Sequence, residues 1–486
     1  MIVGVDIGTS VTKAALLSHD GMVGRRSQRA SRIHRHADGR VEQDLEEVLA
    51  SVASVVREVT DGLDETIEAV AITGQGDGLW LRDSAGRAVR PPISWMDARA
   101  SQRVGEWGAA GPDGIVSRLY RATGSAVFPG SHAALLCHLA EHEPESLERA
   151  AVAGYCVDAV VQRLTGRITV DASDASLPFL DVTRRQYVDE AFDLLGISRW
   201  RHLLPEPAAP HTLFPLDASG AALLGLPTGT PVSAGPYDLE ACAFGAGTLL
   251  PGEGTLVVGT TLACEVLTAS TERSAEEEPA GMWLCTPDPD LYLRVMPSMV
   301  GTASIDWLMS LFGLTANEVG SMLDATPPGA SGVRALSFLS PSGERAPFVD
   351  PAARGQITGL DLTVGRAELV RALCESIAFL SRHCFETMGL SQDLALCGGG
   401  IRSRAWAQVF ADVIGTPVHL PHDDMVGARG AALVAWDALD RPVDRELWRG
   451  QRETLQPRAD LALLYDDGYR RYRDDLASAR PSWSSQ

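Results

Sequence analysis

The sequence has no block of basic residues. Its 486 residues include 42 Lys and Arg against 63 Asp and Glu, which gives a formal net charge of −21. A surface with this excess of negative charge repels nucleic acid and anionic membranes. We therefore expect small molecules as partners, with no nucleic acid and no membrane among them.

Long apolar runs and paired cysteine motifs are also missing. Met1 leads straight into the strand-like IVGVDIG without a signal-peptide pattern, and no later run has the length of a membrane span. The expected location is the cytoplasm. The eight cysteines are irregularly spaced and include no C-x-x-C pair, so the sequence predicts neither a zinc site nor a disulfide framework, and we expect reduced, buried thiols.

The common glycine-rich nucleotide motifs are absent as well. No G-x-x-x-x-G-K-[ST] occurs, which excludes a P-loop nucleotide site, and no G-x-G-x-x-G follows the first predicted strand. Any nucleotide must therefore bind in another way.

Two hairpins of one design are present. Residues 2–7 and 11–17 read as strands joined by the turn Gly8-Thr9-Ser10, and residues 254–267 repeat this pattern around Gly259-Thr260-Thr261. The repeat suggests an internal duplication. A chain of this length exceeds what one hydrophobic core usually serves, so two domains are expected.

Predicted strands alternate with predicted helices, which is typical of an α/β fold. Asp44 is expected to cap a helix over LEEVLASVASVVREV, IEAVAITG to form a buried strand, and AAVAGYCVDAVVQRL to form an amphipathic helix. Residues 245–254 are rich in Gly and Pro and are interpreted as a linker or hinge. After residue 440 the chain becomes Arg- and Asp-rich and mostly helical, typical of a peripheral cover.

The first hairpin tip is the first candidate site. Turn amides, the hydroxyls of Thr9 and Ser10 and the Lys13 ammonium form a phosphate cradle, and Asp6 can hold Mg²⁺ through water. An ordinary hairpin with common turn residues is the alternative. The matching Gly259-Thr260-Thr261 tip favours the phosphate interpretation, because one cradle in each half can clamp a triphosphate.

Two further segments have competing interpretations. Glycines 398–400, between a predicted strand and a helix, leave room for a flat nucleoside, although a turn of no functional meaning is the alternative. Asp238 precedes a short helix of small residues. It suits a general base that accepts the proton of an attacking hydroxyl, and a helix N-cap is the other interpretation.

The stretch TGQGDGLW, residues 73–80, is a polar loop with alternating glycines. Gln75 and Asp77 offer donors and acceptors suited to a sugar or polyol. Trp95 and Asp97 follow in PPISWMDARA and suit stacking on a carbon face and binding of hydroxyls. Alternatively, Trp95 packs in the core, and Asp97 pairs with Arg99 or caps a helix.

These segments, in this order, resemble the FGGY carbohydrate kinases, a branch of the actin/hexokinase-like ATPases. The resemblance runs through VGVDIGTSVTK, ITGQGDG, WMDARA, GPYD, GTT, FLSPSGERAPFVDPAARGQITGL, CGGGIRSRAW and GARGAAL. It implies a two-lobed α/β fold of the ribonuclease H-like kind, with duplicated domains and a central cleft. The implied organisation is an N-terminal sugar-binding domain with the first phosphate loop at 1–244, a hinge at 245–254, a C-terminal nucleotide-binding domain at 255–440 and a helical extension at 441–486.

The resemblance also implies roles for individual residues. Asp6 and Asp238 match the two catalytic carboxylates near Mg²⁺, with Asp238 as general base. The positions implied for the nucleotide are Gly8, Thr9, Ser10, Lys13, Gly259, Thr260, Thr261, Thr302, Gly399, Gly400 and Ser403. Those implied for the substrate are Gln75, Asp77, Trp95, Asp97 and Asp238. The SGER segment is interpreted as structural, with no role assigned to Glu344 or Arg345.

The implied function is an ATP- and Mg²⁺-dependent kinase that phosphorylates a primary hydroxyl of a small sugar or polyol. Xylulokinases usually carry Met-His where this chain has Gly76-Asp77, and glycerol kinases carry Arg-Glu. The GQGDG form is more similar to the branch that acts on erythritol and L-xylulose-type substrates.

Three alternatives remain open at this point. The first is a D-xylulokinase, and the second is an actin-like ATPase that does not act on sugar. The third is a sugar-binding regulator without catalysis, against which the presence of Asp6, Lys13 and Asp238 speaks. A homodimer is one oligomeric state that the sequence leaves open.

Overall fold

The computed structural model describes residues 1–109, 111–273, 277–450 and 452–483. The chain forms two compact units, each made of three segments. The first unit comprises Met1–Gly247, Thr268–Leu293 and Met425–Gly450, and the second comprises Thr248–Leu267, Arg294–Asp424 and Gln451–Gln486. The domain limits expected from the sequence stay a prediction.

The strands are numbered along the chain. They are β1 (Ile2–Ile7), β2 (Val11–Leu17), β3 (Val23–Ala30), β4 (His34–Arg35), β5 (Val41–Glu42), β6 (Ala69–Gly74), β7 (Trp80–Arg82), β8 (Val152–Gly154), β9 (Leu180–Asp181), β10 (Gln186–Tyr187), β11 (Leu213–Pro215), β12 (Pro231–Ser233), β13 (Gly254–Val258), β14 (Leu262–Thr268), β15 (Met282–Cys285), β16 (Tyr292–Ser298), β17 (Arg334–Leu336), β18 (Gln356–Thr358), β19 (Leu394–Cys397), β20 (Val418–Pro421) and β21 (Arg452–Leu455).

The helices follow the same numbering. They are α1 (Leu45–Thr60), α2 (Ser101–Gly108), α3 (Ile115–Thr123), α4 (His132–His142), α5 (Pro144–Arg149), α6 (Cys156–Thr165), α7 (Ala172–Ala175), α8 (Asp189–Leu195), α9 (Ala218–Leu224), α10 (Asp238–Ala246), α11 (Thr302–Phe312), α12 (Ala316–Ala325), α13 (Arg366–Met388), α14 (Arg404–Ile414), α15 (Val426–Ala438), α16 (Arg445–Arg449) and α17 (Ala462–Trp483). Five short 3₁₀ turns lie between them, at Gly111–Asp113, Ser198–Leu203, Ala330–Gly332, Gly399–Arg402 and Ala459–Leu461.

The two main sheets have the same topology. The first runs β11-β12-β6-β1-β2-β3, and the second contains the order β21-β20-β19-β13-β14-β16. In both, the hairpin is antiparallel, the next two strands are parallel to its first strand, and the outer strand is antiparallel again. The predicted α/β fold with an internal duplication is therefore confirmed.

Both hairpins close in the same way. The amide of Gly8 donates to the carbonyl oxygen of Val11 at 3.2 Å, and the amide of Gly259 donates to that of Thr261 at 3.0 Å. The strands on either side are mostly buried and rich in β-branched residues, a composition that suits a sheet covered by helices. The polar tips are thus held on rigid apolar strands.

Helix α1 begins where the sequence predicts. The Asp44 side chain accepts from the amides of Glu46 and Glu47, which satisfies two amide groups that have no partner within the helix. The apolar face of α1 is buried and packs on β2 and β3.

The expectation of one helix over residues 150–164 is wrong in its first part. Val152–Gly154 forms β8, which pairs with β7, and the helix begins only at Cys156. Gly154 and the Asp158 carboxylate explain the break, because Asp158 accepts from the amide of Tyr155 and so caps the helix after the strand. The apolar run hid this boundary, since strands and buried helices share such runs.

Glycines allow three elements of the first unit to pack at backbone distance. A Cβ at Gly430 of α15 would lie 1.9 Å from the carbonyl oxygen of Ala241 in α10, and one at Gly245 would lie 1.8 Å from that of Val426. A Cβ at Gly4 of β1 would lie 2.4 Å from the carbonyl oxygen of Ala428. Helices α10 and α15 and strand β1 therefore form a block that accepts no side chain at these positions.

The cysteines and helices agree with two further expectations. All eight cysteines are free, and all are buried except the partly exposed Cys242. Among the helices of the described residues, none combines the length and apolar character that crossing a bilayer requires.

We expect Gly430→Ala to destabilise the fold, because the added methyl meets backbone that must shift. The predicted loss is about 1–3 kcal/mol, measured as a lower urea midpoint. Gly105→Ala is the matched control: this exposed glycine of α2 has no atom within 4 Å of its Cβ position. It should gain about 0.5–1 kcal/mol of stability from helix propensity. Equal midpoints for the two variants would contradict the close packing.

Candidate functional site

Asp6 lies near the carboxyl end of β1 and is partly exposed. It stands in register with Lys13 on β2 and with Thr73 on β6. Burial raises the pKa of Asp6 to about 6, and the nearby Lys13 charge opposes this rise. A Cβ at Gly427, in the first turn of α15, would lie 2.6 Å from the Asp6 carboxylate. The first turn of α15 therefore closes over Asp6 only because residue 427 has no side chain.

Lys13 is unusual in the composition of this chain. It is the single lysine of the 486-residue chain, and all other basic side chains apart from histidine are arginine. Its cross-strand partner is Asp6. A compact ammonium at a hairpin tip suits a phosphate as a point charge, which the planar guanidinium of arginine does not reproduce.

Asp238 is the first residue of α10, and Tyr237 occupies the N-cap position. The N-cap alternative for Asp238 is therefore not what the structure shows. Burial raises the pKa of Asp238 well above its usual range, and the charge of Asp6 adds to this rise. The carboxyl of Asp6 on β1 thus lies close enough to that of Asp238 on α10 to raise its pKa.

The backbone before Asp238 is held by three hydroxyls. Thr73 donates to the carbonyl oxygen of Pro236 at 2.6 Å, and Ser233 donates to that of Gly235 at 3.1 Å. The amide of Tyr237 donates to the Ser173 hydroxyl at 2.8 Å. Ser173 and Asp171, which accepts from it, come from the segment DASDAS, residues 171–176. The sequence analysis gave these residues no role.

The first hairpin tip and the polar loop after β6 are joined by hydrogen bonds. The Thr9 hydroxyl donates to the Gln75 side-chain oxygen at 3.1 Å and accepts from the Trp95 indole nitrogen at 2.9 Å. The structure therefore brings together one residue predicted for phosphate and two predicted for the acceptor. Gly8 and the exposed Ser10 lie in the same turn.

Asp77 and Asp97 have different surroundings. Asp77 is buried, has a positive φ of 53°, and accepts from the amide of His132 at 3.4 Å. Asp97 accepts from the amide of Val41 at 2.6 Å and from the Arg99 side chain at 2.8 and 2.9 Å. The pairing of Asp97 with Arg99 that the sequence suggested is therefore present. A direct contact of Asp97 with substrate stays a prediction.

The predicted nucleotide residues of the second unit also come together. The amides of Gly301 and Thr302 donate to the carbonyl oxygens of Thr260 and Gly259, both at 2.8 Å. A Cβ at Gly400 would lie 2.3 Å from the Val258 side chain and 3.2 Å from that of Thr302. The second hairpin tip, the start of α11 and the glycine turn after β19 thus form one surface.

That surface is open at its centre. Thr260, Gly398 and Gly399 are exposed, and Gly259, Thr261 and Gly400 are partly exposed. Ser403 caps α14 by accepting from the amide of Trp406 at 3.4 Å. A glycine turn without side chains leaves room for a flat base beside the hydroxyls of the second hairpin tip.

The SGER segment, interpreted as structural from the sequence, has contacts that give Glu344 a role. Glu344 is buried and accepts from the Ser298 hydroxyl at 2.8 Å, from the amide of Met299 at 2.9 Å and from the amide of Arg345 at 2.8 Å. It therefore fixes the end of β16, just before the Gly301-Thr302 turn. Burial raises the pKa of Glu344.

A cavity of ≈ 160 Å³ lies elsewhere in the second unit, between β17, α13 and α17. Its walls include Phe379, Tyr465 and Tyr472, and none of the predicted site residues lines it. Cavity size alone therefore does not indicate where the chemistry takes place.

Two family models match the chain. The N-terminal domain of the FGGY family of carbohydrate kinases matches residues 1–245, and the C-terminal domain of that family matches residues 254–439. Together they cover most of the sequence.

Relatives and solved structures agree with this match. The chain is 30% identical to an erythritol kinase of Brucella abortus (strain 2308), over 99% of this chain and 97% of that protein. It is 28% identical to an L-xylulose/3-keto-L-gulonate kinase of Escherichia coli (strain K12), over 98% and 96%. The crystal structure of a xylulose kinase from Rhodospirillum rubrum superimposes with a TM-score of 0.88 at 27% identity, over 99% of each chain.

The single lysine makes a selective labelling test available. We expect an amine-acylating reagent to modify Lys13, and ATP at tenfold its Kd to slow that modification about tenfold, because the occupied site shields the ammonium. Peptide mass spectrometry measures the rate. Lys13→Arg serves as the control, since the tryptic peptide then carries no side-chain amine. Equal rates with and without ATP would remove Lys13 from the nucleotide site.

Proposed function

Since the chain belongs to the FGGY family of carbohydrate kinases, we propose that it transfers the γ-phosphoryl group of ATP to a primary hydroxyl of erythritol or a similar small polyol or ketose, L-xylulose included. The enzyme is an ATP-dependent sugar or polyol kinase, as the family match and the kinase relatives show. The exact acceptor and the roles of individual residues are the proposed part.

The observation that carries the proposal is the pair of carboxyls at Asp6 and Asp238. They lie on β1 and α10 of the first unit, and the charge of Asp6 raises the pKa of Asp238. Phosphoryl transfer needs a carboxylate that accepts the proton of the attacking hydroxyl. Asp238 suits this role because its raised pKa makes its ionised form a stronger base than an ordinary carboxylate.

The same pair fits a magnesium ion. Mg²⁺ prefers oxygen ligands such as carboxylates, and a cation relieves the repulsion between two of them. The residues that would hold the ion are Asp6 and Asp238. When bound, the ion would neutralise negative charge on the ATP phosphates. Lys13, which faces Asp6 across the hairpin, would orient a phosphate oxygen.

Binding of ATP and acceptor is assigned to different surfaces. We assign the phosphates to Gly8, Thr9, Ser10 and Lys13 and to the second hairpin tip with Thr302, and the adenosine to Gly399, Gly400 and Ser403. The acceptor is assigned to Gln75, Asp77, Trp95, Asp97 and Asp238. We place the sugar site in the domain 1–244 and the nucleotide surface in the domain 255–440. The proposed hinge at 245–254 joins these domains, and the extension at 441–486 follows the second.

The preference for a small open-chain acceptor rests on the loop Gly76-Asp77. A Cβ at Gly76 would lie 2.3 Å from the Tyr237 ring, so a larger residue cannot occupy this position without moving Tyr237. At this position the loop therefore presents its backbone and the Asp77 carboxylate beside an aromatic ring. An erythritol kinase among the relatives supports this assignment, while the xylulose kinases keep D-xylulose as the alternative acceptor.

We expect Asp238→Asn to reduce kcat about 10²- to 10⁴-fold, because the amide cannot accept the proton. The Kd for ATP measured without Mg²⁺ should stay within about twofold, since the substitution keeps the shape of the side chain and the fold does not use Asp238 as its cap. Steady-state kinetics and titration calorimetry measure the two quantities. Wild-type kcat in the variant would show that Asp238 is not the base.

A panel of C4 to C6 polyols and ketoses tests the acceptor. ADP release should depend on the acceptor, with kcat/KM higher for erythritol or L-xylulose than for D-xylulose and glycerol. Acceptor-independent release would indicate a plain ATPase instead.

Asp77→Asn tests the loop directly, because Asn tolerates the positive φ at this position. The variant should raise KM for the preferred acceptor more than KM for ATP, since the amide changes one acceptor oxygen into a donor. An unchanged ratio of kcat/KM between that acceptor and its deoxy analogue would leave Asp77 a turn residue only.

A further inference from the structure

A second buried carboxyl lies beside the acceptor loop, at Asp174 in α7. The side chain is fully buried, and neither of its oxygens has a hydrogen-bond partner among the described residues. Most buried polar groups are hydrogen-bonded, and a buried carboxyl without a partner destabilises the protein that carries it. Its presence therefore calls for a physical explanation.

The carboxyl faces Gly76. A Cβ at Gly76 would lie 2.9 Å from the Oδ1 of Asp174 and 2.3 Å from the Tyr237 ring. Any side chain at position 76 would separate Asp174 from the loop that carries Gln75 and Asp77. Glycine at this position leaves the carboxyl next to the loop backbone.

The preceding residue connects the same short helix to the proposed base. Ser173 donates to Asp171 at 2.5 Å and accepts from the amide of Tyr237 at 2.8 Å, one residue before Asp238. Helix α7 thus places Ser173 against the segment that leads to Asp238 and Asp174 against the acceptor loop. Two neighbouring side chains serve the two sides of one site.

Three of the four acidic groups whose charges act on Asp174 have partners. Asp158 forms a buried ion pair with Arg82, Asp171 accepts from Ser173, and Asp77 accepts from the His132 amide. Burial raises the pKa of Asp174 well above its usual range, and the charges of Asp171, Asp158, Asp238 and Asp77 add to the rise. A neutral carboxyl can both donate and accept a hydrogen bond.

We propose that Asp174 is a specificity-determining residue that hydrogen-bonds a hydroxyl of the acceptor on the Gly76 side of the loop. The proposal rests on the proposed function. The expected partner of the Asp174 carboxyl is the acceptor and not ATP. An acidic cluster repels phosphates, whereas a polyol hydroxyl can donate to and accept from a carboxyl. A bound hydroxyl would satisfy oxygens that the protein itself leaves without partners.

Two variants of Asp174 separate a binding role from a structural one. Asp174→Ala should raise KM for erythritol about tenfold, the effect of one lost hydrogen bond, while KM for ATP stays within about twofold. The melting temperature of the ligand-free variant should not fall, because the removed group had no partner. Asp174→Asn keeps size and hydrogen-bonding ability and should show a smaller change in KM.

Asp412→Asn is the matched control, because Asp412 is also a buried carboxyl but belongs to the second unit and pairs with Arg458. This variant should lose melting temperature and keep wild-type KM for erythritol. The opposite behaviour of the two sites distinguishes binding from general destabilisation.

The deoxy analogue of the acceptor gives the decisive comparison. Wild type should discriminate against the analogue that lacks the contacted hydroxyl, and Asp174→Ala should reduce that discrimination about tenfold. An active wild type with unchanged KM and discrimination in both variants overturns the role of Asp174 and leaves the proposed function intact. If Asp174→Ala does not fold, Asp174→Val, which also lacks a hydrogen-bonding group, takes its place, and wild-type discrimination in that variant overturns the proposal equally.

A wild type inactive on the whole panel of C4 to C6 polyols and ketoses is a different result. It overturns the proposed function, and the role of Asp174 fails with it. The two failures are therefore distinguishable.

Discussion

The burial of Asp6 and Asp238 in one unit, where the charge of Asp6 raises the pKa of Asp238, is the constraint around which the proposed site is built. Each carboxyl is disfavoured as an ion by burial, and Asp6 makes ionisation of Asp238 harder still. Left to themselves, such groups would move apart or into water. The glycines of α10, α15 and β1 prevent this, since they bring the three backbones to distances that leave no room for relaxation. Rigid packing therefore holds the two carboxyls in place for the catalytic role proposed for them.

The same arrangement explains why small residues surround the site. Gly427 lets the first turn of α15 close over Asp6, and Gly76 lets Tyr237 and Asp174 approach the acceptor loop. The hydroxyls of Thr73, Ser173 and Ser233 then fix the backbone before Asp238. The position of Asp238 is thus fixed by neutral hydroxyls and glycines, which add no further charge to a region that already holds several carboxyls.

Much of this could be predicted from the sequence, and the limits have physical reasons. The hairpins, the Asp44 cap and the long helices follow from local patterns, because strand alternation, capping and helical periodicity act over a few residues. The strand β8 was missed because its apolar residues continue into α6 without a polar break. Ser173, Asp174 and Gly427 were missed because their importance lies in contacts across the fold, with Tyr237, Gly76 and Asp6. The roles of the predicted site residues stay predictions.

Acidic side chains and the single lysine are close together in the first unit. The chain carries a net charge of −21 and a single lysine, and the acidic groups Asp6, Asp77, Asp174 and Asp238 lie in one unit with Lys13 beside Asp6. Where these carboxyls are ionised, they disfavour a bare polyphosphate and tolerate a neutral polyol. Binding of ATP at the proposed site would depend on cations that offset its charge, which Lys13 and a divalent ion held by Asp6 and Asp238 would supply. The acidity that makes the empty site unfavourable would therefore make occupation by acceptor, nucleotide and metal mutually dependent.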